Sequence, residues 1–429
     1  MELLQVEKQK ETQKKTKKVL IIAHNHPLFF PGGAEIFAYD LFKTIRATTH
    51  YQPFFLGAAA GINRKVHTGT PFQMLVDAPD EALFWGDAFD YFYQSQKILN
   101  FIYVDFKNFL IELKPDVIHF HHTMRIGLEA IQIARQTLPN VKIVYTLHEF
   151  ILMCNRDGQM IRKHNDELCE NAAPDRCHQC FPEITPQQFK MREAFIKAHL
   201  DLVDLFISPS QFLANRFIDW GIPRKKMVVM ENGRQVSQPA PHRSLTTGEK
   251  RNVFGFFGQV NPYKGVILLL EAVGYLVKHN FTDLRVEIFG NVAVGFPQLQ
   301  EKFFKLVEEN QENVTYHGKY KQDEIPELIA EIDWVVVPST WWENSPLVIQ
   351  EVFMHKRPII CSNIGGMAEK VEDDFTGLHF RARNHVSLAN TMRKACTEKG
   401  LWERLVGNIA PRLSLEESAK QHVDLYDKL

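Results

Sequence analysis

The sequence lacks several features that would each have assigned it to a class. None of its 429 residues belong to a long uncharged apolar run, and a spanning helix needs roughly eighteen or more such residues in a row. No charge of one sign dominates: 50 Lys and Arg stand against 51 Asp and Glu. That balance argues against nucleic acid as the main partner. The start, MELLQVEKQKETQKKTKKVLIIAH, carries lysines where a secretory signal would need its apolar core. Residues 1–17 therefore read as a solvated tail, and the expected location is cytoplasmic, with peripheral contact at the inner face of a membrane left open. The three-glycine dinucleotide fingerprint is also missing. Cysteine is scarce, and four of the six are crowded into one stretch.

What is present is an alternation of short β-rich apolar runs with helix-length amphipathic stretches, twice over. This is the pattern of parallel sheets covered by helices on both faces. The first series holds VLIIAH (19–24), QPFFLG, a long aromatic-rich helical stretch, DVIHFHH (116–122), KIVYTLH (142–148), DLFISPS (204–210) and MVVMENG (227–233). The second holds NVFGFFG (252–258), LRVEIFG (284–290), NVTYHG (313–318), DWVVVPS (333–339) and RPIICSN (357–363). Between them RQVSQPAPHRSLTTGEK has the composition of a linker. The expected domains are 18–236, completed by a closing helix at about 413–429, and 251–412, joined through 237–250. Ligands of doubly wound sheets bind at the carboxyl ends of the strands, so the loops there are the place to look.

Four loops stand out. In HNHPLFFPGGAE, Gly32 and Gly33 precede a helix, where a backbone can approach a phosphate or sugar, though a turn that needs positive φ would use the same residues. In FFGQVNPYKG, Lys264 stands at a helix start, against the macrodipole, which an anionic ligand such as a phosphate would explain better than stability does. TWWENSPLVIQE projects Glu343 from a loop and Glu351 from a helix, roughly two turns in. Paired carboxylates serve as general acid and base, as nucleophile, or as acceptors for sugar hydroxyls. A second glycine pair in SNIGGMAEKVEDDFTGLHF fits a binding loop or an ordinary turn equally well. Of the strand histidines His119, His121 and His122, His121 is favoured because it lies nearest the strand end on the face that His119 begins.

The clustered cysteines, Cys154, Cys169, Cys177 and Cys180, include a Cys-x2-Cys. In a reducing cytosol this spacing suits a closed structural zinc site, and free or redox-active thiols suit it too. The aromatic stretch 83–106 reads as core, although it would also suit an acceptor site or a lipid surface.

In this order, PGGAE, DVIHFHH, YTLHE, ISPSQFLANRF, VVMENG, FFGQVNPYKG, STWWENSPLVIQEVF and IGGMAEKVEDDFTGLHF resemble the retaining family 4 glycosyltransferases of the GT-B fold. The resemblance runs from about Lys18 to the end and is strongest in the second half. It implies an α/β architecture of two doubly wound Rossmann-like domains facing across a cleft. It also implies a nucleotide-sugar donor, a UDP- or GDP-sugar, held by the C-terminal domain, and a saccharide or lipid-linked acceptor held by the N-terminal one. Glu343 and Glu351 match the family's Glu, seven residues, Glu motif, the first touching the donor sugar and the second the ribose hydroxyls. Asn344 and the backbone N–H groups of Ser345, Leu347 and Val348 lie between them at the diphosphate and sugar. Lys264 matches the diphosphate-binding lysine, and Gln259 stands where an arginine usually accompanies it. Either diphosphate binding is weaker or another cation, such as Arg125 or Arg156, takes its place.

Gly32 and Gly33 would admit the donor phosphates or the acceptor, and His121 corresponds to a histidine near the reacting centre. The resemblance thus assigns His121, Lys264 and Glu343 to catalysis, with no cofactor required. The same architecture serves sugar-nucleotide 2-epimerases of the non-hydrolysing type, and a non-catalytic nucleotide-sugar binder would also fit the missing arginine.

Overall fold

The computed structural model describes residues 16–30, 32–59, 71–75, 77–86, 88–235 and 238–429. Of the expected tail all but the last two residues, and of the expected linker residue 237, lie outside the described residues. The chain forms two compact units: the first runs to Thr146 and adds Arg192–Phe206 and Glu416–Leu429, and the second comprises Leu147–Met191 and Ile207–Leu415.

In the first unit, besides the small antiparallel pair Phe89–Asp90 and Ser95–Gln96, the strands are β1 (Lys18–Ala23), β2 (Gln52–Ala59), β3 (Phe72–Leu75), β4 (Ala78–Trp85), β5 (Val117–Phe120), β6 (Lys142–Thr146) and β7 (Leu205–Ser208). They lie in the order β7-β6-β5-β1-β2-β4-β3. β1 pairs in parallel with β2 on one side and with β5 on the other. Its residues Val19 to Ile22 are wholly buried, as a strand covered on both faces must be. The chain steps outward from β1 in one direction, then returns to continue on the other side. That reversal opens a crevice at the carboxyl ends of β1 and β5.

The aromatic stretch differs from its expected helix. Residues up to Trp85 form β4, parallel to β2 and capped by the antiparallel β3. Helix begins only later, as a π-helical turn over Phe101–Phe106 continued by Lys107–Leu113. Ala82, Leu83, Phe84 and Trp85 are all buried, and a strand buried on both faces has no alternation to distinguish it from a buried helix. The helix Leu415–Lys428 closes the first unit. There Tyr426 meets His119 Nδ1 at 2.7 Å, and Asp427 accepts from Lys17 Nζ at 2.5 Å and from the Tyr51 hydroxyl at 3.0 Å.

The second unit contains β8 (Val253–Phe257), β9 (Arg285–Phe289), β10 (Val314–Gly318), β11 (Trp334–Val337), β12 (Ile359–Ser362) and β13 (Gly377–Phe380). Their order is β10-β9-β8-β11-β12-β13, and every pairing is parallel. Counted along the chain this is 3-2-1-4-5-6, the doubly wound dinucleotide-fold order. The switch point falls between β8 and β11. Residues 240–250, within the stretch expected as linker, and Arg251 just after it are fastened to this sheet. Asp333, wholly buried at the foot of β11, accepts from Arg243 Nη2 at 2.7 Å, Arg251 Nη1 at 3.1 Å and Val253 N at 3.1 Å.

Removing one member of such a cluster strands the others. Asp333→Ala is expected to cost about 3–5 kcal/mol in chemical denaturation, because two guanidiniums lose their buried partner. A loss under about 1 kcal/mol, the value of a surface pair, would contradict this role.

Candidate functional site

The switch point of the second sheet fixes where its ligand crevice lies, and two loops meet there. The first leaves β8. Asn261 Oδ1 accepts the N–H groups of Tyr263 and Lys264, each at 3.0 Å, and so folds the loop back on itself. Gly265 follows at φ +74°, and a Cβ there would stand 1.9 Å from the carbonyl oxygen of Pro338, just beyond β11. Only glycine allows this approach. Thr340 N donates to Tyr263 O at 2.8 Å, and the Tyr263 and Trp341 rings stack with centroids 5.2 Å apart.

The approach delivers Lys264 to the second loop. Glu343 is buried, and its Oε1 accepts from Lys264 Nζ at 2.7 Å, Ser339 Oγ at 2.8 Å and Trp341 Nε1 at 2.9 Å. Burial alone would push this carboxyl up. The Lys264 ammonium, with the hydrogen bonds from Lys264, Trp341 and Ser339, outweighs burial and holds it below the usual carboxylate range. The second glycine pair supports the same loop from behind. Gly366 N donates to Glu343 O at 2.6 Å, and a Cβ on Gly366 would lie 1.7 Å from Asn344 O.

Beyond Glu343, Pro346 caps the helix Leu347–Met354. The helix begins at Leu347, so Glu351 lies just over one turn in, where two were expected. The first-turn N–H groups of Leu347 and Val348 have no helical acceptor. Glu351 Oε1 accepts from Gln322 Nε2 at 2.6 Å and pairs with the Arg234 guanidinium. Asn344 Nδ2 donates to His148 O at 2.7 Å, while Ser345 Oγ is 3.5 Å from Gln350 Nε2. Gln259 accepts from Asn261 Nδ2 at 3.2 Å.

Arg156 does not enter this loop cluster, since its Nη1 donates to Ile161 O and Arg162 O, each at 3.0 Å. Arg125 belongs to the first unit, with its guanidinium 5.9 Å from the Phe30 ring. Arg234, which the sequence reading missed, is the cation at Glu351. It directly follows the ENG of VVMENG, and that adjacency was the one signal for it. Glu231, in the same VVMENG run, is held by Lys370 Nζ at 3.2 Å and Gln350 Nε2 at 3.1 Å.

In the first unit, the carboxyl ends of β1 and β5 gather His24, Glu35, His121 and His122. His121 is buried, with its ring 4.2 Å from that of His119, while the His24 and His122 rings are 4.3 Å apart. His119 is occupied as a core residue, bonded to Tyr426 and, through Nε2, to Thr146 Oγ1 at 2.7 Å. Glu35 accepts from His24 Nε2 and from Asn25 Nδ2, each at 2.9 Å. Burial would raise its carboxyl, yet these partners hold it down at about 2. Gly32, the cap of the helix Gly33–Thr48, has an extended backbone at φ −116°. No left-handed turn requires glycine here, and a Cβ would meet the end of the Glu35 side chain, Oε2 at 2.4 Å.

The four clustered cysteines are in the second unit and line one cavity. No disulfide joins them. Burial pushes the Cys154 thiol up to about 11 and raises Cys169 as well. Among the described residues, no three His, Cys, Asp or Glu side chains converge as metal ligands would.

Comparison with known proteins identifies this arrangement. Residues 31–238 match the family described as Glycosyltransferase Family 4, and residues 237–410 that described as Glycosyl transferases group 1. A lipopolysaccharide 1,2-N-acetylglucosaminetransferase of Salmonella typhimurium is 25% identical over 71% of this chain and 68% of its own length. The glycogen synthase of Thermotoga petrophila is 26% identical over 43% of this chain, which spans only 39% of that enzyme. A UDP-Gal:α-D-GlcNAc-diphosphoundecaprenol α-1,3-galactosyltransferase of Escherichia coli is 27% identical over 41% of this chain and 46% of its own. Among solved structures, Anabaena Alr3699/HepE in complex with UDP superposes with a TM-score of 0.68 at 17% identity, covering 96% of this chain and all of its own. Sucrose-phosphate synthase from Thermosynechococcus elongatus gives 0.65 at 16% identity, covering 96% of this chain and 98% of its own. The fold is GT-B, with two Rossmann-like domains, and the chain belongs to the family 4 glycosyltransferases.

Proposed function

We propose that this glycosyltransferase is a retaining enzyme that moves a sugar from a nucleoside-diphosphate sugar to a saccharide or lipid-linked acceptor, in the building of a polysaccharide or glycoconjugate. The observation that carries the reading is the Lys264–Glu343 pair at the switch point of the second sheet. A part-exposed ammonium held by a buried carboxylate is fixed in place for a diphosphate. The names of the relatives support the substrate class: lipopolysaccharide for one, a UDP-galactose donor and a diphosphoundecaprenol acceptor for another. HepE was solved with UDP. Among the described residues no helix is long and apolar enough to cross a membrane, so a lipid-linked acceptor would be met at the membrane surface.

In this mechanism the donor's diphosphate lies against Lys264 and the N–H groups of Leu347 and Val348, where the helix dipole also favours negative charge. Both protein partners of Glu351 use Oε1, which leaves Oε2 for a ribose hydroxyl. Glu343 offers its other oxygen to the donor sugar. With three donors on Oε1 and its pKa held down, Glu343 is a poor nucleophile and a good hydrogen-bond acceptor. The acceptor hydroxyl therefore attacks from the face the diphosphate leaves, and the departing phosphate takes its proton. No metal is needed, because the leaving charge is met by Lys264 and backbone dipoles. His121, in the first unit, is the side chain assigned to the reacting centre from that domain.

Three outcomes follow. One of UDP, GDP, dTDP and ADP, with UDP favoured, is expected to raise the thermal midpoint, by about 2.7 kcal/mol of stabilisation at a hundred times its Kd. Glu351→Ala should abolish that rise, and a response to none of the four in the unaltered protein would sink the donor assignment. Lys264→Ala is expected to lower kcat by about 10²–10³, and proton NMR of the first-formed product should show the donor's anomeric configuration kept. An inverted product would refute retention. The third concerns pH. Glu343 has a depressed folded pKa, so its charge stabilises the fold above the unfolded value of about 4.5 and that contribution fades as pH falls further. The stability gap between the unaltered protein and Glu343→Gln should thus be full at pH 7 and close below pH 4.5. A gap that widened on acidification would contradict the sign.

A further inference from the structure

Residues 147–185, ahead of the helix Pro186–Leu200, form an excursion with little regular structure beyond the short helix Pro174–Cys180 and the bridge between Ile161 and Leu168. Its four cysteines come from three separate places. Cys154 ends a turn whose N–H bonds to Phe150 O at 2.7 Å, and Cys169 follows the bridge, its N–H on Met160 O at 2.7 Å. Cys177 and Cys180 are three residues apart on the helix, hence on one face. All four line a single cavity of about 30 Å³, otherwise walled mainly by apolar side chains such as Met160, Ile161 and Phe181. That volume suits one ion or one water molecule and no substrate.

The charges around the cavity are the second observation. Arg156 and Arg176 line it, and Arg162 hydrogen-bonds to Cys169. The Nε of Arg162 is buried without a hydrogen-bond partner. Glu167 pairs with Arg162 at 3.1 Å and Asp166 with Arg156 at 3.8 Å, so the surroundings of the sulfurs stay cationic only in part. Zinc bound by four thiolates has a net charge of about −2, which three guanidiniums can offset in part.

We propose that Cys154, Cys169, Cys177 and Cys180 form a closed structural zinc site that orders this excursion and, through it, the Glu343 loop. On binding, the four side chains turn into the cavity and four S–H protons pass to solvent as four Zn–S bonds form. The excursion in turn grips the loop in three places. Trp342 Nε1 donates to Cys169 O at 2.8 Å, and Asn344 Nδ2 to His148 O at 2.7 Å. The Arg383 guanidinium joins Thr340 O, at 2.9 Å, to Asp166 O. A cysteine ligand's own carbonyl is therefore one of the anchors of the site. The effect on the donor loop rests on the function proposed above, whereas the metal content does not.

The test uses the full chain purified without chelator, with metal measured by plasma mass spectrometry and UDP affinity by calorimetry. About one zinc per chain is expected, retained in Cys361→Ser and lost in Cys177→Ser/Cys180→Ser. Should that double variant fail to fold, cobalt exchanged into the unaltered protein supplies the evidence, through the intense thiolate charge-transfer bands and tetrahedral ligand-field bands of a four-sulfur site. Stripping the metal should weaken UDP binding by at least about tenfold, with recovery on adding zinc. A protein without zinc, whether its thiols all react freely or its mass shows disulfides, overturns the site. Zinc present with UDP affinity unchanged by stripping overturns the link to the loop. Zinc present in a protein that binds no nucleoside diphosphate before or after stripping refutes the proposed donor and the link with it, and leaves the site intact.

Discussion

One buried oxygen organises the carboxyl end of the second sheet. Glu343 Oε1 accepts from an ammonium, a hydroxyl and an indole at once, and a buried carboxylate needs such partners to stay charged. Each donor comes from a different point: Lys264 from the loop after β8, Ser339 from the end of β11, Trp341 from the loop itself. Satisfying that one oxygen thus ties the two loops that flank the switch point. The close backbone contacts follow from the same constraint, since Gly265 must touch Pro338 and Gly366 must touch Asn344 for the loops to come near enough. A site assembled this way is fixed before any donor arrives, and electrostatic catalysis depends on such fixed charges.

The first unit repeats the logic with different chemistry. Its crevice also lies where strand order reverses, beyond β1 and β5, and it also holds a buried carboxylate with a basic partner, Glu35 with His24. Here the partner is an imidazole packed beside a second imidazole, His122. His119, which the strand pattern places on the same face as His121, is fully used in tying the closing helix to β5 and β6. His119 thus serves packing, and His121, two residues on, is the one that the proposed function assigns to the reacting centre.

This explains which parts of the molecule were legible in the sequence. The parallel strands of the second unit announced themselves as short apolar runs at regular spacing, and with them the loops carrying Lys264 and Glu343. A charge misplaced for helix stability, and two glutamates bracketing a prolyl turn, are local signals. Arg234 was marked only by its adjacency to the ENG of VVMENG, because its partner Glu351 is 117 positions away. The same holds for Arg243 and Arg251 on Asp333, where a stretch with linker composition proved to be anchored. Strand β4 was hidden by its own burial. At Gly32 the sequence left close approach and a positive-φ turn both open, and the extended backbone at φ −116° excludes the turn.

The account's central claim is that the crevice at the second sheet's switch point holds a nucleoside diphosphate through Lys264. A crystal structure of the protein with UDP tests it most directly. The account predicts phosphate oxygens within hydrogen-bond distance of Lys264 Nζ and of the Leu347 and Val348 N–H groups, and a ribose hydroxyl on Glu351 Oε2. UDP bound elsewhere, with Lys264 still closed onto Glu343 and its ammonium touching no phosphate, would contradict it.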